Sequence, residues 1–127
     1  MFKRSLILAS LAFATPALAD PPSILNVTVE QLGDLWKFDV TIRHNDTGWD
    51  HYADAWRILD PDGAPLGTRN LAHPHIKEQP FTRSLSGVRV PDGVTEVSIQ
   101  ARDSIGGWSS DVVTIPLPEP RSRQTRW

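Results

Sequence analysis

The chain has 127 residues, 22% of them charged and 39% hydrophobic, a formal net charge of −2, and no cysteine. That length fits one domain with a core of its own, and the lack of thiols excludes disulfides and thiolate metal centres. Outside the C-terminal segment no basic stripe offers a footprint for nucleic acid, and the acidic balance matches an anionic membrane surface poorly.

Residues 1–19 carry the three parts of an export signal. Lys3 and Arg4 give the positive start, Ser5 to Ala14 an apolar stretch, and Ala17-Leu18-Ala19 a small-x-small cleavage triplet. Cleavage before Asp20 leaves residues 20–127 as the mature chain, periplasmic or secreted. No cysteine follows the triplet to carry a lipid, and neither the apolar stretch nor any later segment is long enough to span a bilayer.

From Ser23 to Leu117 the hydrophobic pattern has period two and is broken by turn residues every 8 to 12 positions. Leu25, Val27 and Val29 alternate with Asn26, Thr28 and Glu30 in a first strand. Trp36, Phe38, Val40 and Ile42 alternate with Lys37, Asp39, Thr41 and Arg43 in the clearest one. Trp56 and Ile58 mark a third, closed by the turn Asp60-Pro61-Asp62-Gly63, and a short fourth spans Pro65 to Asn70. The fifth covers Phe81 to Val90 with a bulge expected at Ser86-Gly87. After Pro91-Asp92-Gly93, a sixth points Val97, Ile99 and Ala101 inward, and a seventh points Val113, Ile115 and Leu117 inward. No helical period lasts ten residues. The expected fold is an all-β, seven-stranded immunoglobulin-like antiparallel sandwich over 20–117, with an open Greek-key barrel as the alternative. Residues 118–127, rich in Pro, Arg and Ser, read as a flexible basic tail.

In antiparallel strands alternate connections fall at opposite ends. One end receives the tight turns near Gly33, Asp60–Gly63 and Pro91–Gly93. The other receives the long connections His44 to Ala53, Leu71 to Pro80 and Asp103 to Ser110. All four histidines lie in that second set, and loops on a rigid scaffold are where binding residues concentrate. In His73-Pro74-His75 proline favours an extended chain, so the two imidazoles face one way, about 6 to 7 Å apart. With His51 and His44 they form a candidate metal set, assisted by Glu78 or Asp103, and a sulfur-free nitrogen and oxygen set favours copper or zinc. The plainer reading is of solvated histidines, or of ones that hydrogen-bond to shape their loops.

The stretch His44-Asn45-Asp46-Thr47-Gly48-Trp49-Asp50-His51-Tyr52, followed by Trp56, resembles the iron-ligand segment of superoxide reductases of the desulfoferrodoxin type. In that family two histidines, the second followed by an aromatic, lead into an apolar strand of an immunoglobulin-like domain. Gly106-Gly107-Trp108 falls where the family has a Cys-x-x-His-Gly segment, but this chain has no cysteine. The resemblance implies histidine-held metal at this end of the fold, without the family's iron–thiolate chemistry. Val97 to Leu117 also resembles fibronectin type III and other immunoglobulin-like modules.

Other site types find little support. Ser84 and Ser86 lie within a strand, with no elbow to raise a nucleophile. The carboxylates of Asp60, Asp62, Asp46 and Asp50 fit turn formation. No glycine pattern cradles phosphate. Trp49, Tyr52 and Trp108 can stack on a glycan or anchor a protein partner, or simply cap the core. The sequence therefore points to a non-catalytic exported module that binds copper or zinc, the alternative being a metal-free protein- or glycan-interaction module.

Overall fold

The alternating hydrophobic pattern is realised as strand throughout. The computed structural model describes residues 20–118, so the expected export signal and nearly all of the expected tail lie outside the described residues. Seven strands follow in order: β1 (Ser23–Leu32), β2 (Leu35–Arg43), β3 (Ala53–Leu59), β4 (Pro65–Asn70), β5 (Phe81–Val88), β6 (Glu96–Asp103) and β7 (Gly107–Pro116). They form a three-stranded sheet ordered β1-β2-β5 and a four-stranded sheet ordered β4-β3-β6-β7, every pair antiparallel. Among the described residues there is no helix, and so none long and apolar enough to cross a membrane.

The core fills the space between the sheets. Phe38, Val40 and Ile42 of β2 face Trp56 and Ile58 of β3 and Val97, Ile99 and Ala101 of β6, all essentially inaccessible to solvent. β2 and β6, flanked by partners on both sides, supply most of this burial because alternate side chains on a paired strand share one face.

Local features refine the expected pattern. Leu25, expected inward, is 47% exposed, because an extra residue interrupts the β1–β2 register between Ile24 and Asn26. The bulge shifts the alternation by one residue, and Ile24 packs on the core instead. On β5 the bulge lies where it was expected: Ser86 and Gly87 together oppose the single Lys37, with Gly87 at φ +71°. Gly67 of β4 is held by close packing, since a Cβ there would stand 3.0 Å from Leu85. The β6–β7 connection, expected to be long, is a turn of Ser104, Ile105 and Gly106. The Asp103 carboxylate accepts the Ile105 and Gly106 amides at 2.8 and 2.6 Å, folding the chain straight into β7. Val113, expected inward, is 36% exposed on β7, an edge strand of the larger sheet.

Chain direction sorts the ends. Ser23 pairs with Arg43, so the chain enters beside the β2–β3 loop, at the same end as the β4–β5 and β6–β7 connections. Pro116 pairs with Glu96, so the chain leaves at the opposite end. The β1 bulge makes a checkable contrast. Replacing Ile24 with serine should lower the urea midpoint clearly, whereas Leu25→Ser should leave it nearly unchanged; equal losses would mean the alternation is not shifted.

Candidate metal centre

The β2–β3 loop turns back on itself between Thr47 and His51. The Thr47 amide donates to the His51 carbonyl at 3.0 Å and the His51 amide to the Gly48 carbonyl at 3.2 Å. Next to it, Tyr52 and Ser104 are zipped together: the Ser104 amide donates to the Tyr52 carbonyl at 2.9 Å, and the Tyr52 amide to the Ser104 hydroxyl at 3.0 Å. These bonds bring His51 against Asp103, with Nε2 3.5 Å from Oδ1. The His51 ring also meets the His44 ring edge to face, centroids 4.9 Å apart. One potential ligand atom each from His44, His51 and Asp103 therefore lies within 4.8 Å of the other two.

Asp46 organises this end of the molecule. Its buried carboxylate faces His44 Nδ1 at 2.6 Å and accepts the Ala53 amide at 3.0 Å through Oδ1, while Oδ2 accepts the His75 amide at 2.7 Å. One side chain thus ties the end of β2, the start of β3 and the β4–β5 loop. Gln79 adds a second tie: Oε1 accepts the His44 amide at 2.9 Å and Nε2 donates to the His75 carbonyl at 2.7 Å. A histidine whose Nδ1 is fixed by a carboxylate is oriented to offer Nε2 to a metal. Here His44 Nε2 meets the Asp20 carbonyl at 2.7 Å. His51 Nε2 is buried without a hydrogen-bond partner. Such an atom calls for an explanation, and a bound ion is one that its neighbours allow.

The four candidate histidines divide into two pairs. His73 and His75 stay outside the close group: their rings lie 4.5 Å apart, tilted by 33°, and each is otherwise engaged. His73 is exposed, with Nδ1 3.0 Å from the Pro74 carbonyl. His75 is buried, stacked on Phe81 at 3.9 Å, and its Nε2 accepts from the Arg83 guanidinium at 2.8 Å. The guanidinium occupies Nε2, while His75 Nδ1 is buried without a hydrogen-bond partner, as His51 Nε2 is. Glu78 is exposed on the same loop. Asp103, read from sequence as auxiliary, belongs to the close group itself.

The aromatic candidates are also separated by their packing. Trp49, 68% exposed, packs edge to face on Tyr52 with centroids 5.6 Å apart. Trp108 belongs to β7 and lies under the Arg57 guanidinium, 3.9 Å from the ring centroid. Sequence reasoning missed Asp46 as the tie between loops, and missed Asp20 and Gln79 altogether. The spacing of His44 and Asp46, two residues apart, was the available signal for the first; nothing local marked the others.

No protein-family description and no solved structure matches this chain. Among curated proteins, one from Halomicrobium mukohataei named "Putative lipoprotein" is 35% identical over 102 residues, covering 80% of this chain and 50% of that protein. The chain thus spans about half the length of that relative.

Two outcomes follow from this geometry. Asp46→Ala would strand the His44 ring nitrogen and the Ala53 and His75 amides. At about 1–3 kcal/mol for each stranded buried donor, urea unfolding should show a loss of about 3 kcal/mol or more. The second concerns acid. Burial first, then the Arg83 guanidinium and the His73 ring, hold the His75 imidazole below its ordinary value of 6.5, against weaker pulls from Asp46 and Glu78. As pH falls through 6.5 the unfolded chain takes up a proton that the folded chain refuses. This contribution to stability is therefore full above that pH and is lost on acidification towards the lower folded pKa. A His75→Gln chain should show a shallower fall of the melting temperature on acidification below pH 6.5 than the parent; equal slopes would assign the acid sensitivity elsewhere.

Proposed function

We propose that this chain is an extracytoplasmic binding module of immunoglobulin-like architecture that holds a divalent transition metal at its long-loop end and is not an enzyme. The observation that carries the reading is the convergence of His44, His51 and Asp103, with a buried nitrogen on His51 that makes no hydrogen bond. The Asp46 carboxylate behind His44 supplies the orienting partner that metal-bound imidazoles use. Two imidazoles and a carboxylate favour copper or zinc, which take nitrogen and oxygen together, over softer sites that need sulfur.

The architectural part of the proposal draws on the partition of three strands against four, with Trp56 buried on the third strand. The extracytoplasmic part draws on the residues that read as an export signal and on the name of the relative. A metal-free interaction module is the second reading. It is favoured by the exposed Trp49 leaning on Tyr52, an amphipathic pair able to stack on a glycan or protein partner.

Metal content and thermal unfolding separate the two readings. The purified chain should take up close to one equivalent of Zn(II) or Cu(II), and saturating metal should raise its melting temperature in a way a chelator reverses. His51→Ala should abolish the shift, while His73→Ala should leave it intact. No uptake and no shift in the parent would remove the metal reading and leave the aromatic pair as the better candidate.

A further inference from the structure

The three-residue group leaves a coordination position to fill, and the chain itself brings a carboxylate to it. We infer that Asp20 is the fourth ligand of the site, exchanging its carbonyl for its carboxylate at His44 Nε2 when metal enters; this rests on the metal reading above. His44 Nδ1 is committed to Asp46, so Nε2 is the nitrogen available to a metal. Asp20 stands beside that nitrogen, with its carbonyl at 2.7 Å and Oδ2 of its carboxylate at 3.8 Å.

Within each pair the spacing suits a shared ion, and the Asp20 carboxylate, outside the close group of His44, His51 and Asp103, has to swing in to join it. Donor atoms on a tetrahedral zinc with bonds of about 2.0–2.1 Å stand about 3.3 Å apart. The pair His44 Nε2–Asp20 Oδ2 is at 3.8 Å and the pair His51 Nε2–Asp103 Oδ1 at 3.5 Å, each needing only a small contraction. The two pairs are joined by the contact between the His44 and His51 rings. Together they give two nitrogens and two carboxylate oxygens, a set that suits Zn(II) or Cu(II).

The local backbone permits the exchange. Asp20 is solvent-exposed, with half of its side chain open to water, while Pro22, two residues on, is buried and pins the chain. Pro21 between them has no amide hydrogen to hold the peptide in place. Asp20 also borders an open cleft of about 430 Å³ lined by Arg43, His44, Asn45, Ile76 and Gln79, so its side chain is not packed in place. Loading costs the contact between His44 Nε2 and the Asp20 carbonyl, and the same residue then brings a carboxylate to the ion.

The test compares the parent chain with Asp20→Ala and Asp20→Glu. Zn(II) affinity is measured by competition with a chromophoric chelator, and the Co(II) derivative by visible absorption. Asp20→Ala keeps the carbonyl and removes the carboxylate. It should weaken Zn(II) at least about tenfold and lower the intensity of the tetrahedral Co(II) bands, with the metal-free melting temperature unchanged. Asp20→Glu should recover most of both. If Asp20→Ala binds as tightly as the parent, with the same Co(II) spectrum, Asp20 is not a ligand although the histidine site stands. If the parent itself binds neither ion, both the inference and the reading beneath it fall.

Discussion

The arrangement of this end of the protein depends on one buried carboxylate. Asp46 lies in a loop yet is almost inaccessible to solvent, and it serves an imidazole from the end of β2, the first amide of β3 and an amide of the β4–β5 loop. A buried carboxylate is tolerated only when its oxygens are well satisfied, and these three partners meet that demand. The dependence is mutual. Two long loops that have little regular structure of their own gain a fixed geometry because the charge must be solvated by them.

The sandwich sets the stage for that charge without determining it. Its two sheets close over Phe38, Trp56 and Ile99, and antiparallel connectivity delivers three connections and the entering chain to one end. Two of the histidines there, His44 and His75, are buried, and they differ in what their Nε2 atoms meet: a carbonyl for His44, a guanidinium for His75. That difference in neighbour charge, rather than proximity in sequence, separates an imidazole able to accept a cation from one that repels it.

Much of the fold was legible in the sequence because alternation is enforced by burial on one face. β2 and β6, flanked by partners and reading as clean alternations, appear with their inward residues as expected, as does the Ser86-Gly87 bulge. Leu25 was misread because a bulge next to an edge position leaves no mark in the hydrophobic pattern. The β6–β7 connection was read as long because Asp103 looks like a loop residue, whereas its side chain builds a tight turn from two amides. The candidate site was half legible. Strand direction placed all four histidines at one end, but the meeting of His51 with Asp103 depends on the Tyr52–Ser104 zipper, a contact between residues 52 positions apart.

The direction of β7 has a mechanical consequence. The chain enters beside the histidines and departs at the far end of a ten-residue strand, roughly 30 Å away. The two ends of the described domain are therefore unequal as handles: Asp20 lies against His44 at the loop end, whereas Pro116 stands a full strand length from it.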